Sequence, residues 1–350
     1  MNLTDRMEAP IAGSIVFGAH ERAQLAAEAE ATIAKGSKSF AAAARLFAPD
    51  LRASAMMLYA WCRHCDDVVD DQILGHRQGV RLSASSGQER LAELEARTLA
   101  AIDGVRTGEA PFDAIGDVVH RHALPTGLVL AHLEGFRMDV GGRDYETIDD
   151  TLDYCYAVAG VVGVMMARVM GVGTEGRRGA DLTLTLDRAC DLGLAFQLTN
   201  IARDLVDDSA AGRVYVPGEW LREEGLSGSE IHLPKKREAV ARIGQRLVDL
   251  AEPYYASASQ GLAALPPRAA WAVATAAGVY RDIGMVIRRR GAAAWDSRAS
   301  TSGAAKILHA GRGAGNTAMS RLRRNPGDRP QGLWTRPRMA ELGERVEAED

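Results

Sequence analysis

Few cysteines, few aromatics and no long apolar run set the first limits on this chain. Cys62, Cys65, Cys155 and Cys190 are the only cysteines in 350 residues. That makes no disulfide framework, and no signal-peptide pattern opens the sequence, so a reducing, cytoplasmic compartment is expected. Aromatic residues are 5%, and stretches alternating apolar and polar residues are scarce, which argues against a β-rich core. The longest apolar run, Ala157–Ala167, stops at Arg168, short of the roughly 20 residues that span a bilayer. A basic excess is missing too. The formal net charge is −4, which gives no global field for nucleic acid, and none is expected as partner. His-Glu-x-x-His does not occur, and Cys62-x-x-Cys65 has no second pair to complete a zinc site. Gly171-Val-Gly-Thr-Glu-Gly176 follows a helical stretch rather than a strand, so it reads as a helix stop, not a nucleotide loop.

What the sequence does contain is helix. Stretches rich in Ala, Leu, Arg and Glu place apolar residues three and four apart at Arg22–Ala34, Ala53–Asp70, Gln88–Ile102, Leu152–Met170, Leu186–Leu205, Ala239–Glu252 and Ala269–Arg288. Gly75–Gly87 is a Gly/Ser-rich connector, and Leu265-Pro266-Pro267 ends one helix and starts another. The expectation is an all-α fold with one helical domain over residues 22–310. Residues 1–21 read as a disordered extension, and 311–350 as an Arg/Pro/Gly-rich tail.

Two rows of polar residues stand out on these helices. Tyr59, Arg63, Asp66 and Asp70 lie four or three apart and so share a face. Two carboxylates at ~4 Å repel by about 4 kcal/mol at an effective dielectric of ~20, and acids near a helix C-terminus also oppose its dipole. A divalent cation relieves both penalties, and Mg²⁺ is typically held by one or two carboxylates plus substrate phosphates. The second row is Gln197, Asn200, Asp204 and Asp208, stepping by three, four and four, beside an apolar row of Leu194, Leu198, Ile201 and Leu205. Upstream the polar face continues through Cys190 and Gly193, small residues that suit either a cavity wall or close helix packing. In both segments the apolar part precedes the acids. If the two rows look at each other, acids and cation sit at the mouth of an apolar slot, a shape suited to a diphosphate on a long hydrocarbon tail. A solvated, salt-bridged surface is the competing reading of either row alone.

These residues resemble the squalene and phytoene synthase family, over about Gly36–Ser302. The resemblance rests on Gly-Ser-Lys-Ser-Phe (36–40), Trp-Cys-Arg-His-Cys-Asp-Asp-Val-Val-Asp (61–70), Glu-Gly-Phe-Arg-Met-Asp-Val (134–140), Tyr-Cys-Tyr-Ala-Val-Ala-Gly-Val-Val-Gly (154–163), Asp-Leu-Gly-Leu-Ala-Phe-Gln-Leu-Thr-Asn-Ile-Ala-Arg-Asp (191–204), Gly-Arg-Val-Tyr-Val-Pro (212–217) and Trp-Asp-Ser-Arg (295–298). The wording is closer to the bacterial carotenoid branch than to the squalene branch. The resemblance implies an isoprenoid synthase-type helical bundle around a central apolar cavity. It implies that Asp66 and Asp70 on one wall, and Asn200, Asp204 and Asp208 on the other, hold Mg²⁺, with Mn²⁺ the alternative ion. By the same resemblance Gly36, Ser37, Lys38 and Ser39 match the flap over the diphosphate. Tyr59, Arg63, Asp67, Gln197, Arg203 and Tyr280 match substrate-contacting positions, and Tyr154, Val158 and Ala159 match the lining near the reacting carbons.

The activity so implied is condensation of two geranylgeranyl diphosphates through a cyclopropyl intermediate to phytoene, with Asp66, Asp70, Asp204, Asp208, Arg63 and Tyr59 in catalytic roles. Tyr59 could face a cation with its ring or be a core tyrosine. A C15 substrate giving dehydrosqualene or squalene uses the same motifs, and a non-catalytic helical binding protein is the remaining alternative. Arg312–Arg338 holds seven Arg against one Asp. It reads as a solvated tail, with attraction to anionic lipid and hence a peripheral place at the inner membrane face, beside other carotenoid enzymes, as a further expectation.

Overall fold

The computed structural model describes residues 17–36, 43–69, 86–173, 182–322 and 327–337. Among them there is no β-strand. Their contacts fall into two compact units, one comprising the described residues up to 142 with 164–173 and 337, the other those of 143–163 and 182–336. The sequence suggested a single domain over 22–310.

The first unit is built on α1 (Ala19–Gly36), α2 (Pro49–Val69), α3 (Gly87–Ile102), α4 (Ala110–His122) and α5 (Thr126–Gly141). Its core gathers Met57, Leu58, Trp61 and Cys65 of α2 with Leu94 and Ile102 of α3, Phe112 and Ile115 of α4, and Leu133 of α5, all essentially inaccessible to water. Trp61 fixes α2 in rotation. Its indole N–H donates to Thr98 Oγ1 at 3.3 Å, and its ring lies 5.3 Å from His132. Ser86 caps α3 reciprocally with Glu89. Ala123 at φ 45° ends α4.

The second unit is built on α6 (Ile148–Cys155), a π-helical turn (Tyr156–Gly160), α8 (Leu182–Ala210), α9 (Gly218–Glu223), α10 (Arg237–Gln260), α11 (Pro267–Arg290) and α12 (Gly303–Leu322). After the π turn the chain continues as α7 (Val161–Val169). The run Ile148–Val169 is the one helix among the described residues long and apolar enough to cross a membrane, and 61% of its most apolar window is buried in the fold. The row Leu194, Leu198, Ile201 and Leu205 is buried on α8, which packs against α10. Cys190 and Gly193 face the π turn, and close packing accounts for them. A Cβ on Gly193 would stand 2.2 Å from Ala159 O, and one on Gly163 would stand 2.3 Å from Ala189 O. Backbone meets backbone here, leaving no side-chain-sized space.

Two terminal expectations need correction. The fold begins before residue 22, with Phe17 buried and α1 starting at Ala19. Residues 1–16 lie outside the described residues. The supposed tail is largely structured where it is described. α12 runs to Leu322 and buries Gly313, Thr317 and Ser320, with a Cβ on Gly313 meeting Thr275 Oγ1 at 2.6 Å. Gly313 thus lets α12 come close to α11. Beyond it, Arg329 forks onto the fully buried Asp191 at 2.9 and 2.7 Å and onto Trp334 O at 2.7 Å. Arg336 meets Asp187 at 2.8 Å, Trp334 N–H donates to Tyr254 Oη at 3.2 Å, and Arg188 donates to Gly327 O. Two of the arginines taken for solvated charge, Arg329 and Arg336, are thus the counter-ions of buried acids on α8.

Candidate active-site rows on two helices

On α2, Arg63 stands one turn before two acids. Its Nη2 donates to Asp67 Oδ1 at 2.8 Å, and its Nη1 lies 3.6 Å from Asp66 Oδ2. Asp67 is largely covered, 16% exposed, whereas Asp66 is 50% exposed. Arg63 therefore pairs more closely with Asp67 than with Asp66. Tyr59, half-buried, occupies the same face one turn earlier. Asp70, Ser37, Lys38 and Ser39 lie outside the described residues, and Gly36 is the last residue of α1.

The end of α2 is held by a residue that sequence reasoning passed over. Arg90 of α3 donates from Nε to Val68 O and from Nη2 to Val69 O, both at 2.9 Å. These are carbonyls a helix C-terminus leaves without intrahelical partners, and the guanidinium places positive charge where the dipole and the acids both call for it. An arginine in an otherwise amphipathic helix carried no signal that it reaches back to a carbonyl pair.

On α8, Gln197, Asn200, Arg203, Asp204 and Asp208 follow one another along a half-buried face. Asn200 Nδ2 donates to Gln197 Oε1 at 3.3 Å, while Asn200 Oδ1 is buried with no hydrogen-bond partner. An unsatisfied buried oxygen costs roughly 1–3 kcal/mol, and a hard oxygen in that state suits a Mg²⁺ ligand. Arg203 grips Asp204 from Nε and Nη2 at 2.9 and 2.5 Å. Arg298 reaches the same carboxylate at 3.2 Å. Arg298 was visible in the Trp-Asp-Ser-Arg block but not as a site residue. The block docks through Trp295, whose indole N–H donates to Ala202 O at 3.2 Å.

Asp208 carries the most perturbed carboxyl of the row. Burial first, then the charge of Asp204, push its pKa up to about 7, against the pull of Arg213. Tyr280 stacks on Phe196 with centroids 4.3 Å apart, and burial raises its phenol above the ordinary value, so it stays neutral beside Arg203. Among the described residues no three His, Cys, Asp or Glu side chains form a closed metal cage. On α8, two carboxylates and an amide oxygen, all hard oxygens, share one face.

Tyr154 is buried in an aromatic cluster the sequence did not reveal. Its ring stacks on Tyr215 at 4.5 Å and meets Tyr145 edge-on at 5.5 Å. Thr151 Oγ1 ties Tyr215 O to α6 at 2.9 Å. Val158 and Ala159 are half-buried within the π turn. A π turn inside an α-helix is rare and frequent at functional sites. Here the backbone at Ala159 and Gly160 presses against Gly193.

A family model described as squalene/phytoene synthase matches residues 33–305. The chain is 51% identical over 306 residues to a 15-cis-phytoene synthase of Pantoea ananas, covering 87% of this chain and 96% of that one. It is 50% identical over 308 residues to a 15-cis-phytoene synthase of a Paracoccus species, covering 88% and 96%. A crystal structure of a dehydrosqualene synthase in complex with ligand aligns with a TM-score of 0.74 at 26% identity, over 86% of this chain and 99% of that chain.

Proposed function

The chain belongs to the squalene/phytoene synthase family, and from that premise we propose that it is a prenyltransferase joining two geranylgeranyl diphosphates head to head into phytoene, with release of diphosphate, in carotenoid biosynthesis. The family is of an isoprenoid synthase type that generally uses a divalent metal. The observation that carries the site assignment is the α8 row, where a buried, unpartnered Asn200 oxygen shares one face with Asp204 and an Asp208 whose charge is resisted by its surroundings. Asn200, Asp204 and Asp208 would hold Mg²⁺ on α8, and Asp66 and Asp70 on α2. A bound Mg²⁺ supplies Lewis-acid charge to a departing diphosphate.

The chain's own residues do the rest. Arg63, Lys38, Arg203 and Arg298 bind diphosphate oxygens by charge-assisted hydrogen bonds. Loss of diphosphate from one substrate leaves an allylic cation at C1, which alkylates the alkene of the second. Proton loss closes a cyclopropyl diphosphate. A second ionisation rearranges that ring, and a further proton loss gives the hydrocarbon. Apolar residues and the neutral phenol of Tyr280 keep water, which would quench the cation, out of the site. Tyr59 can offer its ring face to positive charge, worth about 0.5–2 kcal/mol.

The test is product analysis of the purified chain with C15 and C20 allylic diphosphates and Mg²⁺, with and without NADPH. A C40 hydrocarbon from the C20 substrate, formed without NADPH, is expected, and Asp204→Ala should abolish it while the far-ultraviolet dichroism stays helical. Product from the C15 substrate alone, or full activity in Asp204→Ala, would overturn the assignment.

A further inference from the structure

We propose that α12 is a membrane-surface helix that docks the protein, through its outward face, on anionic lipid. The helix is amphipathic in the inverse sense. Taking ~100° per residue, its buried positions Gly313, Thr317 and Ser320 mark one face, made of small and polar residues. The opposite face carries Ile307, Leu308, Met319 and Leu322 within an arc of about 120°. These are 76%, 52%, 54% and 74% exposed. Ala304, Gly311, Gly315 and Ala318 fill the same arc and are exposed as well. A helix that packs through glycine and hydroxyls while showing its large aliphatic side chains to solvent does not owe that face to the core of its own unit. Of the six large hydrophobic residues exposed among the described residues, four are on this helix, and contiguous exposure of this kind marks an interaction surface.

Charge selects the occupant. Arg312, exposed, borders the apolar arc on one side, and Arg321, which donates to Ala263 O and Leu265 O, on the other. From residue 299 to 327 the sequence has five Lys or Arg and no Asp or Glu. An apolar strip between cations matches the acyl boundary of a bilayer beneath anionic headgroups. A second copy fits poorly, because a two-fold contact would set each arginine border against its own like charge. The arrangement places the docking element on the structured part of the C-terminal region rather than on a loose basic tail, and it stands independently of the proposed reaction.

The experiment is flotation of the full chain with phosphatidylcholine vesicles, alone or mixed with phosphatidylglycerol. It compares the parent with Ile307→Ser/Leu308→Ser/Met319→Ser/Leu322→Ser and with Arg312→Glu. All five positions are exposed, and dichroism checks that each variant is folded. The parent should float with the mixed vesicles and much less with the neutral ones. The fourfold serine variant should lose at least about ten-fold in partitioning, given ~0.8 kcal/mol for each methylene withdrawn from the acyl region. Arg312→Glu should lose binding selectively on the anionic vesicles. Equal flotation of parent and serine variant would overturn the proposal. So would a parent that ignores vesicles but sediments as a dimer which the serine variant converts to monomer.

Discussion

Removing Arg329 tests whether the C-terminal segment is part of the fold's energetics. Asp191 has no exposed surface and takes two hydrogen bonds from Arg329, at 2.9 and 2.7 Å, and one from Ser257 at 2.5 Å. Arg329→Met keeps much of the side chain's apolar bulk but deletes the counter-ion, leaving a buried carboxylate with the neutral hydroxyl of Ser257 beside it. Breaking one side of a buried ion pair costs about 3–5 kcal/mol. At about 2–4 °C per kcal/mol for a domain of this size, the melting temperature should fall by ~6–20 °C. The pair itself need not be worth that much, because most of the loss is the stranded charge. Arg329→Met/Asp191→Asn should therefore recover most of what the single variant loses. Urea denaturation and differential scanning calorimetry of parent, single and double variants form the cycle. A single variant within ~1 kcal/mol of the parent, or a double variant no better than the single, would refute the reasoning and return residues 327–337 to the status of a loose appendage.

Two further predictions follow from geometry and protonation. Gly193→Val should destabilise by at least about 1–3 kcal/mol, since the contact at 2.2 Å is to the backbone of Ala159 and cannot yield as a side chain would; Gly303→Ala, with nothing within 4 Å, should change stability little. The Asp208 carboxyl, raised to about 7, should disfavour the metal-free fold progressively as pH climbs from the ordinary carboxylate range to about 7, because the folded form holds the proton longer than the unfolded one. Mg²⁺ must displace that proton, so the thermal shift produced by Mg²⁺ should grow between pH 6 and about pH 8, and Asp208→Asn should flatten the dependence.

The sequence made some helices legible and hid others, for physical reasons. α8 was readable because a core row and a polar row run side by side on one long helix, so period and chemistry agreed. α5 went unread because it is apolar nearly all round, with Gly127, Ala131 and Gly135 buried along with Leu128 and Phe136, and a helix without contrast has no phase to detect. α12 was lost because Gly311, Gly313 and Gly315 lower helix propensity, and of the three only Gly313 is explained by a close approach, to Thr275. Arg90 and Arg329 were unreadable for another reason. Each acts on a partner far along the chain, a carbonyl pair in one case and a buried carboxylate 138 residues away in the other, and periodicity carries no information about such partners.

The same limitation shows why acid spacing alone does not make a site. Asp187 and Asp191 lie four apart on α8, as Asp204 and Asp208 do. The first pair is answered within the fold, by Arg336 and by Arg329 with Ser257, and further positive charge there would be superfluous. The second pair is answered incompletely. Asp204 has Arg203 and Arg298, yet its charge together with burial still drives Asp208 toward neutrality despite Arg213, and Asn200 Oδ1 one turn before Asp204 has no hydrogen-bond partner. Evolution could have closed this row as it closed the other, with one more arginine from the C-terminal segment. A row left short of positive charge next to an unpartnered buried oxygen is a row that would gain most from a mobile dication, and that imbalance, rather than the count of acids, sets the proposed metal-binding end of α8 apart from the end whose acids are paired.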